Sequence, residues 1–229
     1  MSVATKLPLE GVRVVDFSWA WAGPYCAQFL GSMGAEVIRV ESHKRPCIWR
    51  NLPPHADGQP GLNRAGLFNS VNHNKKSITL DLSQRKAADL AMRLIAQSDV
   101  VVENFSPRVM KSYGLDYPAV REVKPEIIYI SLSGYGATGP DKDYVMYGPG
   151  QVPLTGLSML TGYRDSGPKS VGMSYGDPTG GLYGAFAVLA AYYYRSLTGQ
   201  GQYIDLSQWE ATTCLLGEQL MEYVMNGRQ

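Results

Sequence analysis

The sequence predicts an α/β fold in which helices flank an open, parallel β-sheet. Short β-branched segments alternate with helical segments along most of the chain. The first three elements form a strand–helix–strand unit, which implies parallel pairing through a right-handed crossover. Of the 229 residues, 45% are hydrophobic and 18% are charged, a composition that supports a globular domain with a substantial core.

The first half of the chain supplies four of the predicted strands. The opening strand, 11–17, is followed by a helix that ends near Met33, because Gly34 favours a C-terminal stop. The remaining elements of this half are strands at 35–41, 77–82 and 100–103 and a helix at 84–97 with an apolar face.

The second half continues the alternation but contains a long irregular region. Residues 134–176 are rich in Gly, Pro, Ser, Thr and Tyr and have little periodicity, which is typical of a functional loop. Before this region the sequence predicts a short helix that opens at Pro107, another at 117–123 and a strand at 126–132. After it come an apolar helix that follows Asp177, a strand at 203–206, and a final helix capped by Ser207 and ending near Gly227.

Residues 174–181, Ser-Tyr-Gly-Asp-Pro-Thr-Gly-Gly, place a carboxylate at the start of that apolar helix. Asp177 is a favoured N-cap residue and Pro178 suits the first helical position, so a purely structural cap is one interpretation. The alternative is a nucleophile. The helix dipole is expected to keep Asp177 ionised, and the flanking glycines leave room for a bulky ligand: Gly176, Gly180 and Gly181.

Ligands of open parallel sheets bind beyond the carboxyl ends of the strands. Residues 104–108 follow one such end and combine a proline-started helix with Arg108, which suits a phosphate or an adenine, and Lys111 lies about one turn further on. A dinucleotide site is disfavoured, since residues 20–24 carry no GxGxxG although Glu41 ends the second strand. The cluster 74–77 is basic but more typical of plain surface.

Several classes of function are excluded by composition. The net charge is +1 with scattered cations, so neither nucleic acid nor an anionic membrane is an expected partner. Three widely spaced cysteines indicate no disulfide framework and no zinc site, and they favour the cytoplasm. Residues 1–10 lack an apolar core of signal-peptide length, and the apolar helix is interpreted as buried rather than membrane-spanning. Neither a serine triad nor a metal site can be assembled from the motifs.

Several motifs, in order, resemble those of the family III CoA-transferases, the CaiB/BaiF family that includes formyl-CoA and carnitine CoA-transferases. The resemblance runs from about Leu7 to about Ala211. It is carried by LEGVRVVDF at 9–17, AGP at 22–24, GAEVIRVE at 34–41, NKKSITLD at 74–81, VENF at 102–105 and TGQGQ at 198–202.

The resemblance implies a Rossmann-like large domain, an interlocked homodimer and an aspartate that attacks an acyl-CoA thioester. Asp177 matches that aspartate. The implied reaction proceeds through an aspartyl anhydride and an aspartyl-CoA thioester to a carboxylic acid acceptor, with coenzyme A as co-substrate and no cofactor.

The family pattern also implies a set of CoA-binding residues. Trp21 stands where formate-using relatives carry glutamine, which indicates a larger or more apolar acyl group, and Ser112 stands near where relatives carry arginine. The expected set is Trp21, Ala22, Ser42, Lys75, Leu80, Asn104, Phe105, Arg108, Lys111 and Tyr147.

Two alternatives remain open at this stage. Residues 1–229 correspond to the N-terminal part of the large domain, without the small domain and the C-terminal return, so a CoA-binding subunit that needs a partner chain is one of them. The other is an α-methylacyl-CoA racemase, which is disfavoured because the histidines lie far from 134–181 in sequence: His43, His55 and His73.

Overall fold

The computed structural model describes residues 6–228, which form a six-stranded sheet with helices on both faces. The strands lie in the order β3-β2-β1-β4-β5-β6, and every neighbouring pair is parallel. The predicted open parallel sheet is therefore confirmed, with the Rossmann-like strand order. Its strands are β1 (Arg13–Asp16), β2 (Glu36–Glu41), β3 (Lys75–Thr79), β4 (Val100–Glu103), β5 (Ile128–Ser133) and β6 (Gln202–Ser207).

The helices connect these strands as right-handed crossovers or follow the last of them. They are α1 (Ala22–Ser32), α2 (Gly66–Ser70), α3 (Arg85–Ile95), α4 (Arg108–Ser112), α5 (Tyr117–Val123), α6 (Gly148–Leu154), α7 (Leu157–Leu160), α8 (Gly176–Thr198), α9 (Gln208–Thr213) and α10 (Gly217–Asn226).

The apolar core lies on both faces of the sheet. Helices α1 and α8 pack over one face, where Val14 and Ile130 are fully buried, and α3, α4 and α5 cover the other face above Val101. Close packing of α8 depends on Gly184, because a Cβ there would lie 2.6 Å from Cδ2 of Leu132. Each aliphatic side chain buried in this way contributes about 1.5–3 kcal/mol.

Three sequence expectations need correction in detail. Strand β3 begins at Lys75 rather than at Ser77, since the two lysines pair through their main chains with β2. The expected irregular region contains the short helices α6 and α7. The single final helix is divided into α9, a 3-10 turn at Cys214–Leu216, and α10, although Ser207 does cap it by accepting the Glu210 N–H at 3.2 Å.

Helix α8 is the longest helix and is only half buried, not buried throughout as the sequence suggested. Its glycine-rich face meets α1. The opposite face exposes an apolar stripe at helical spacing, made of Leu182, Phe186, Tyr193 and Leu197. Within residues 6–228, no helix is long and apolar enough to cross a membrane.

A buried ion network lies beneath the loop that follows β1. The Asp16 carboxylate is within 2.9 Å of Lys75 Nζ and 3.4 Å of Arg39 Nη1, and all three side chains are at most 2% exposed. Burial alone raises the pKa of Asp16, but the two cations and Ser18 outweigh it and hold that pKa below its usual value. Asp16 also accepts the Ser18 N–H at 2.9 Å, so the network fixes the start of the loop.

Candidate active site

A pocket opens where the strand order reverses, between β1 and β4, at the carboxyl ends of the strands. This is the position at which open α/β sheets bind ligands. The pocket has a volume of about 420 Å³ and is lined mainly by the segments that follow β1, β2, β3 and β4. Three predicted CoA-binding residues line it: Ser42, Leu80 and Phe105.

Two cations of this pocket were missed by the sequence reasoning. Lys44 and Arg45 line it just after β2; Lys44 Nζ lies 2.6 Å from the Asp81 carboxylate, and the Arg45 guanidinium lies 5.8 Å from the ring centre of Trp19. The signal that could have found them is a run of basic residues directly after a strand that borders the switch point. Lys44 is neutralised by Asp81, so Arg45 is the cation of the lining better placed to meet a phosphate.

The two cations that the sequence did select, Arg108 and Lys111, are exposed on α4. Their neighbour Val109 lines the pocket, but neither cation is part of the lining. Helix α4 has only five residues, so it offers little of the helix-terminal field that was expected at residues 104–108.

Asn104 is occupied by the protein itself. Its Oδ1 accepts the Trp19 N–H at 2.7 Å, and its Nδ2 donates to the Trp19 carbonyl oxygen at 2.8 Å. Both groups of its amide are therefore paired, and the residue holds the loop after β1 in place instead of offering a free side chain to a ligand.

Lys75 does not lie in the pocket, which corrects its assignment as a CoA-binding residue. Its ammonium group is 2% exposed and donates to Asp16 at 2.9 Å, to the Pro24 carbonyl oxygen at 2.7 Å and to Asn72 at 3.0 Å. An ammonium group has three donors, and all three are used. The basic cluster at 74–77 thus contributes a structural lysine.

The remaining predicted residues, Trp21, Ala22 and Tyr147, lie outside the pocket lining. Trp21 packs edge-on against Trp49, with ring centres 4.7 Å apart. Ala22 is fully buried, and its backbone N–H acts on the Asp177 carboxylate. Tyr147 is 63% exposed and directly precedes Gly148, whose N–H acts on the same carboxylate.

Asp177 lies in the first turn of α8, not at its N-cap as expected. The helix begins at Gly176, and the Asp177 N–H already donates to the Ser174 carbonyl oxygen at 3.1 Å. No side chain caps this end. The carboxylate lies near the backbone N–H groups of Ala22 and Gly148 and near the Ser174 hydroxyl, all of which act to lower its pKa.

Burial is the largest influence on the ionisation of Asp177. Desolvation raises the pKa of Asp177 from 3.8 to about 6, and the hydrogen-bonding groups of Ala22, Ser174 and Gly148 offset only part of this rise. The sequence predicted an ionised Asp177 from the helix dipole, and the structure adds a desolvating site that raises its pKa. The carboxylate is nevertheless mostly ionised at neutral pH, as a nucleophile must be.

The glycines around Asp177 make room for other parts of the protein rather than for a ligand. A Cβ on Gly176 would lie 1.9 Å from Gln151 Oε1, and one on Gly180 would lie 2.9 Å from Gln208 Cγ. A Cβ on Gly181 would lie 2.7 Å from the Ala22 carbonyl oxygen. These close contacts seat the start of α8 against α1, α6 and α9.

The family model of CoA-transferase family III matches residues 9–229. The chain belongs to CoA-transferase family III. It is 35% identical over 225 residues to the succinate–glutarate CoA-transferase of Agrobacterium fabrum, covering 97% of this chain and 56% of that protein. It is also 35% identical to the succinyl-CoA–L-malate CoA-transferase alpha subunit of Chloroflexus aurantiacus, with 97% and 52% covered.

A solved CaiB/BaiF family protein from Brucella suis has the same fold as this family III chain. The TM-score is 0.91 at 34% sequence identity, and the superposition covers 98% of this chain and 59% of the other. The chain therefore spans a little over half the length of the relatives it matches.

Gly148→Ala in this family III chain is expected to displace the Asp177 carboxylate. The new Cβ would lie 1.9 Å from Asp177 Oδ2 and 2.7 Å from Ser174 Oγ, so the carboxylate must move. A carboxylate misplaced by about 1 Å lowers the rate of acyl transfer about 10²-fold. A single-turnover assay of acyl transfer measures this loss. Gly150→Ala is the matched control, because nothing lies within 4 Å of its Cβ position. Equal rates in the two variants would contradict the prediction.

Proposed function

We propose that this chain carries the nucleophile and the CoA pocket of a CoA-transferase that acts through Asp177. One observation carries the proposal: the loop after β1 lines the pocket with Trp19 and, three residues on, brings the Ala22 N–H near the Asp177 carboxylate. A single short segment thus joins a site for the nucleotide end of CoA to a partly buried, ionisable carboxylate.

In the proposed reaction an oxygen of Asp177 attacks the thioester carbonyl carbon, and the carbon–sulfur bond breaks to release CoA thiolate. The product is an acyl-aspartyl anhydride, which keeps the activation of the thioester. The thiolate then attacks the aspartyl carbonyl carbon, forming an aspartyl-CoA thioester and releasing the donor acid. An acceptor carboxylate then attacks the aspartyl-CoA thioester, which releases CoA thiolate and forms a second anhydride. The thiolate attacks the acceptor's carbonyl carbon in this anhydride, so the acceptor leaves as its CoA thioester and Asp177 is regenerated.

The backbone N–H groups beside Asp177 suit this chemistry. Those of Ala22 and Gly148 face the carboxylate from two different elements. Fixed N–H donors stabilise an oxyanion without having to reorganise during the reaction, so they favour the tetrahedral intermediates of acyl transfer. No metal or redox group is required in this scheme, and CoA serves as co-substrate.

CoA is proposed to place its nucleotide in the pocket at the switch point. Phe105 and Leu80 supply apolar walls, and Arg45 supplies positive charge for the phosphates, while Lys44 is paired with Asp81. The 420 Å³ volume is within the range of small-molecule sites. The thioester end would then extend along the loop that carries Trp21 towards Asp177.

Arg45→Ala is expected to weaken CoA binding about tenfold, because a charge-assisted phosphate contact is lost. Isothermal titration of CoA measures this. Arg108→Ala is the comparison, since Arg108 lies outside the pocket lining, and we expect it to change the affinity less than twofold. A larger effect at Arg108 than at Arg45 would move the phosphate site to α4.

The proposed substrates are short carboxylic acids and their CoA thioesters. Two of the relatives are named for succinate, glutarate or malate, and we extend that chemistry to this chain as dicarboxylic acids. Trp21 favours a larger or more apolar group than formate in the same space. Succinyl-CoA and glutaryl-CoA are accordingly the first donors to test, with an apolar acyl-CoA beside them.

The proposed working form is an assembly, such as the interlocked homodimer implied by the family. The apolar stripe of α8 supports it, as Phe186 is 71% exposed and Leu197 is 69% exposed. The second candidate function, a CoA-binding subunit that needs further chain to become active, is favoured by the coverage of about half of each relative. Light scattering during size exclusion distinguishes a self-assembled dimer from a monomer.

The proposal is tested by incubating the chain with each acyl-CoA, trapping activated aspartate with hydroxylamine and locating the adduct by mass spectrometry. We expect an adduct on the peptide that contains Asp177. Binding of CoA without an adduct, in a folded sample, would support the CoA-binding subunit instead.

A further inference from the structure

Two buried glutamine side chains form a relay beside Asp177. Gln151 on α6 is fully buried, and Gln208 on α9 is 5% exposed. Gln151 Nε2 donates to Gln208 Oε1 at 2.9 Å, and Gln208 Nε2 donates to the Leu132 carbonyl oxygen at 2.9 Å. The relay therefore links three elements, β5, α9 and α6, through side-chain amides.

The direction of the relay is fixed by its last acceptor. A carbonyl oxygen can only accept, so Gln208 must present Nε2 to Leu132 and Oε1 to Gln151. Gln151 must then donate through Nε2, which turns its own Oε1 towards the start of α8. That oxygen is buried and has no hydrogen-bond partner among the described residues.

The unpaired oxygen lies against the residue that precedes the nucleophile. A Cβ on Gly176 would be 1.9 Å from Gln151 Oε1, so the two are in direct contact. Gly148, whose N–H acts on Asp177, lies one turn before Gln151 in the same helix. Gln208 also packs against Gly180, on the next turn of α8.

We propose that Gln151 and Gln208 are positioning residues that hold the Gly148 N–H against the Asp177 carboxylate. Burying an unpaired amide oxygen costs free energy, so the side chain calls for a compensating role. A role in fixing α6 relative to α8 accounts for it, because the same side chain touches Gly176 and anchors the helix that carries Gly148. The inference rests on the proposed role of Asp177 but is tested without catalysis.

The environment of Asp177 makes its ionisation a suitable readout of this geometry. The groups that act on its pKa are Ala22 on α1, Gly148 on α6 and Ser174 before α8, and no charged side chain among the described residues contributes. Loss of the Gly148 N–H removes an interaction that favours the ionised form, so the pKa of Asp177 must rise.

The experiment is a pH titration of carbon-13-labelled aspartate by NMR, with the Asp177 signal assigned by its absence from Asp177→Asn. Gln151→Met and Gln208→Met retain side-chain length and remove the amides. We expect each to move the Asp177 midpoint upward by about half a pH unit or more. Gln28→Met is the control, because Gln28 Oε1 is also buried and unpaired among the described residues, but the side chain lies almost two turns beyond Ala22 on α1 and pairs with His73 instead of with the relay.

Midpoints unchanged within about 0.2 in folded Gln151→Met and Gln208→Met, or an equal movement in Gln28→Met, would overturn the proposal. If one variant fails to fold, the other decides, since each breaks the relay at a different end. A moved midpoint in a chain that transfers no acyl group would uphold the relay and reject the proposed function. Acyl transfer with unmoved midpoints would uphold the proposed function and reject the relay.

Discussion

Asp177→Asn is expected to abolish acyl transfer and, at neutral pH, to make the folded chain more stable. The amide is not a nucleophile and forms no anhydride, so transfer should fall by at least about 10³-fold. Hydroxylamine trapping followed by intact-mass spectrometry measures the loss of acyl transfer. Asp89→Asn is the control, because Asp89 is an exposed aspartate on α3, away from the pocket.

The gain in stability should depend on pH in a defined direction. The pKa of Asp177 is raised from 3.8 to about 6 in the folded chain, so between these values the folded state holds a proton that the unfolded state has released. Stability contributed by this group is therefore lost as the pH rises through that window, and the full cost of the buried charge is present above it.

Asparagine carries no charge, so it avoids that cost. We expect Asp177→Asn to raise the free energy of unfolding more at about pH 7.5 than at about pH 4, as measured by urea denaturation at both values. Equal changes at the two values would show that the carboxylate is not held in a desolvating site. Unchanged acyl transfer would make Asp177 a structural residue of α8.

Lys75→Met is expected to destabilise the fold by about 3–5 kcal/mol, because it leaves the buried Asp16 carboxylate without its nearest cation. Lys75 Nζ and Asp16 Oδ2 are 2.9 Å apart, with side chains 2% and 0% exposed. The remaining partner, Arg39, is further away at 3.4 Å. Urea denaturation at about pH 7 measures the change.

The next residue along the chain provides a matched control. Lys76 also pairs with a carboxylate, Glu36 at 2.5 Å, but its side chain is 72% exposed. Exposed ion pairs contribute about 0–1 kcal/mol, so Lys76→Met should cost less than about 1 kcal/mol. Similar losses in the free energy of unfolding for Lys75→Met and Lys76→Met would contradict the assignment of Lys75 to the interior.

The strands were predictable because local chemistry decides them. The strands β1, β2, β4 and β5 are short β-branched runs whose side chains fill the core, as Val14 and Val101 do, whereas β3 and β6 at the sheet edges are more exposed. Gly34 and Gly227 were predicted as helix stops because glycine is the residue favoured there. Both have a positive φ in the structure, of 104° and 66°. Asp177 was found because its neighbours in sequence mark the start of a long helix.

The surroundings of Asp177 were not predictable in the same way. The N–H groups that act on its carboxylate come from Ala22 and Gly148, which are remote in sequence, and the side chains that its glycines accommodate come from Gln151 and Gln208. A glycine leaves space in any interpretation of the sequence. Only packing reveals whether a ligand or a protein side chain fills that space.

The sequence by itself determined the parallel α/β sheet, the family, and the choice of Asp177, because periodicity, turn residues and motif order are properties of neighbouring residues. The tertiary structure alone decided which charges are available to a ligand: it buried Lys75 in an ion network, left Arg108 outside the pocket and placed Arg45 within it. It also decided that desolvation raises the pKa of Asp177. Burial is set by segments far apart in the chain, so no local pattern encodes it.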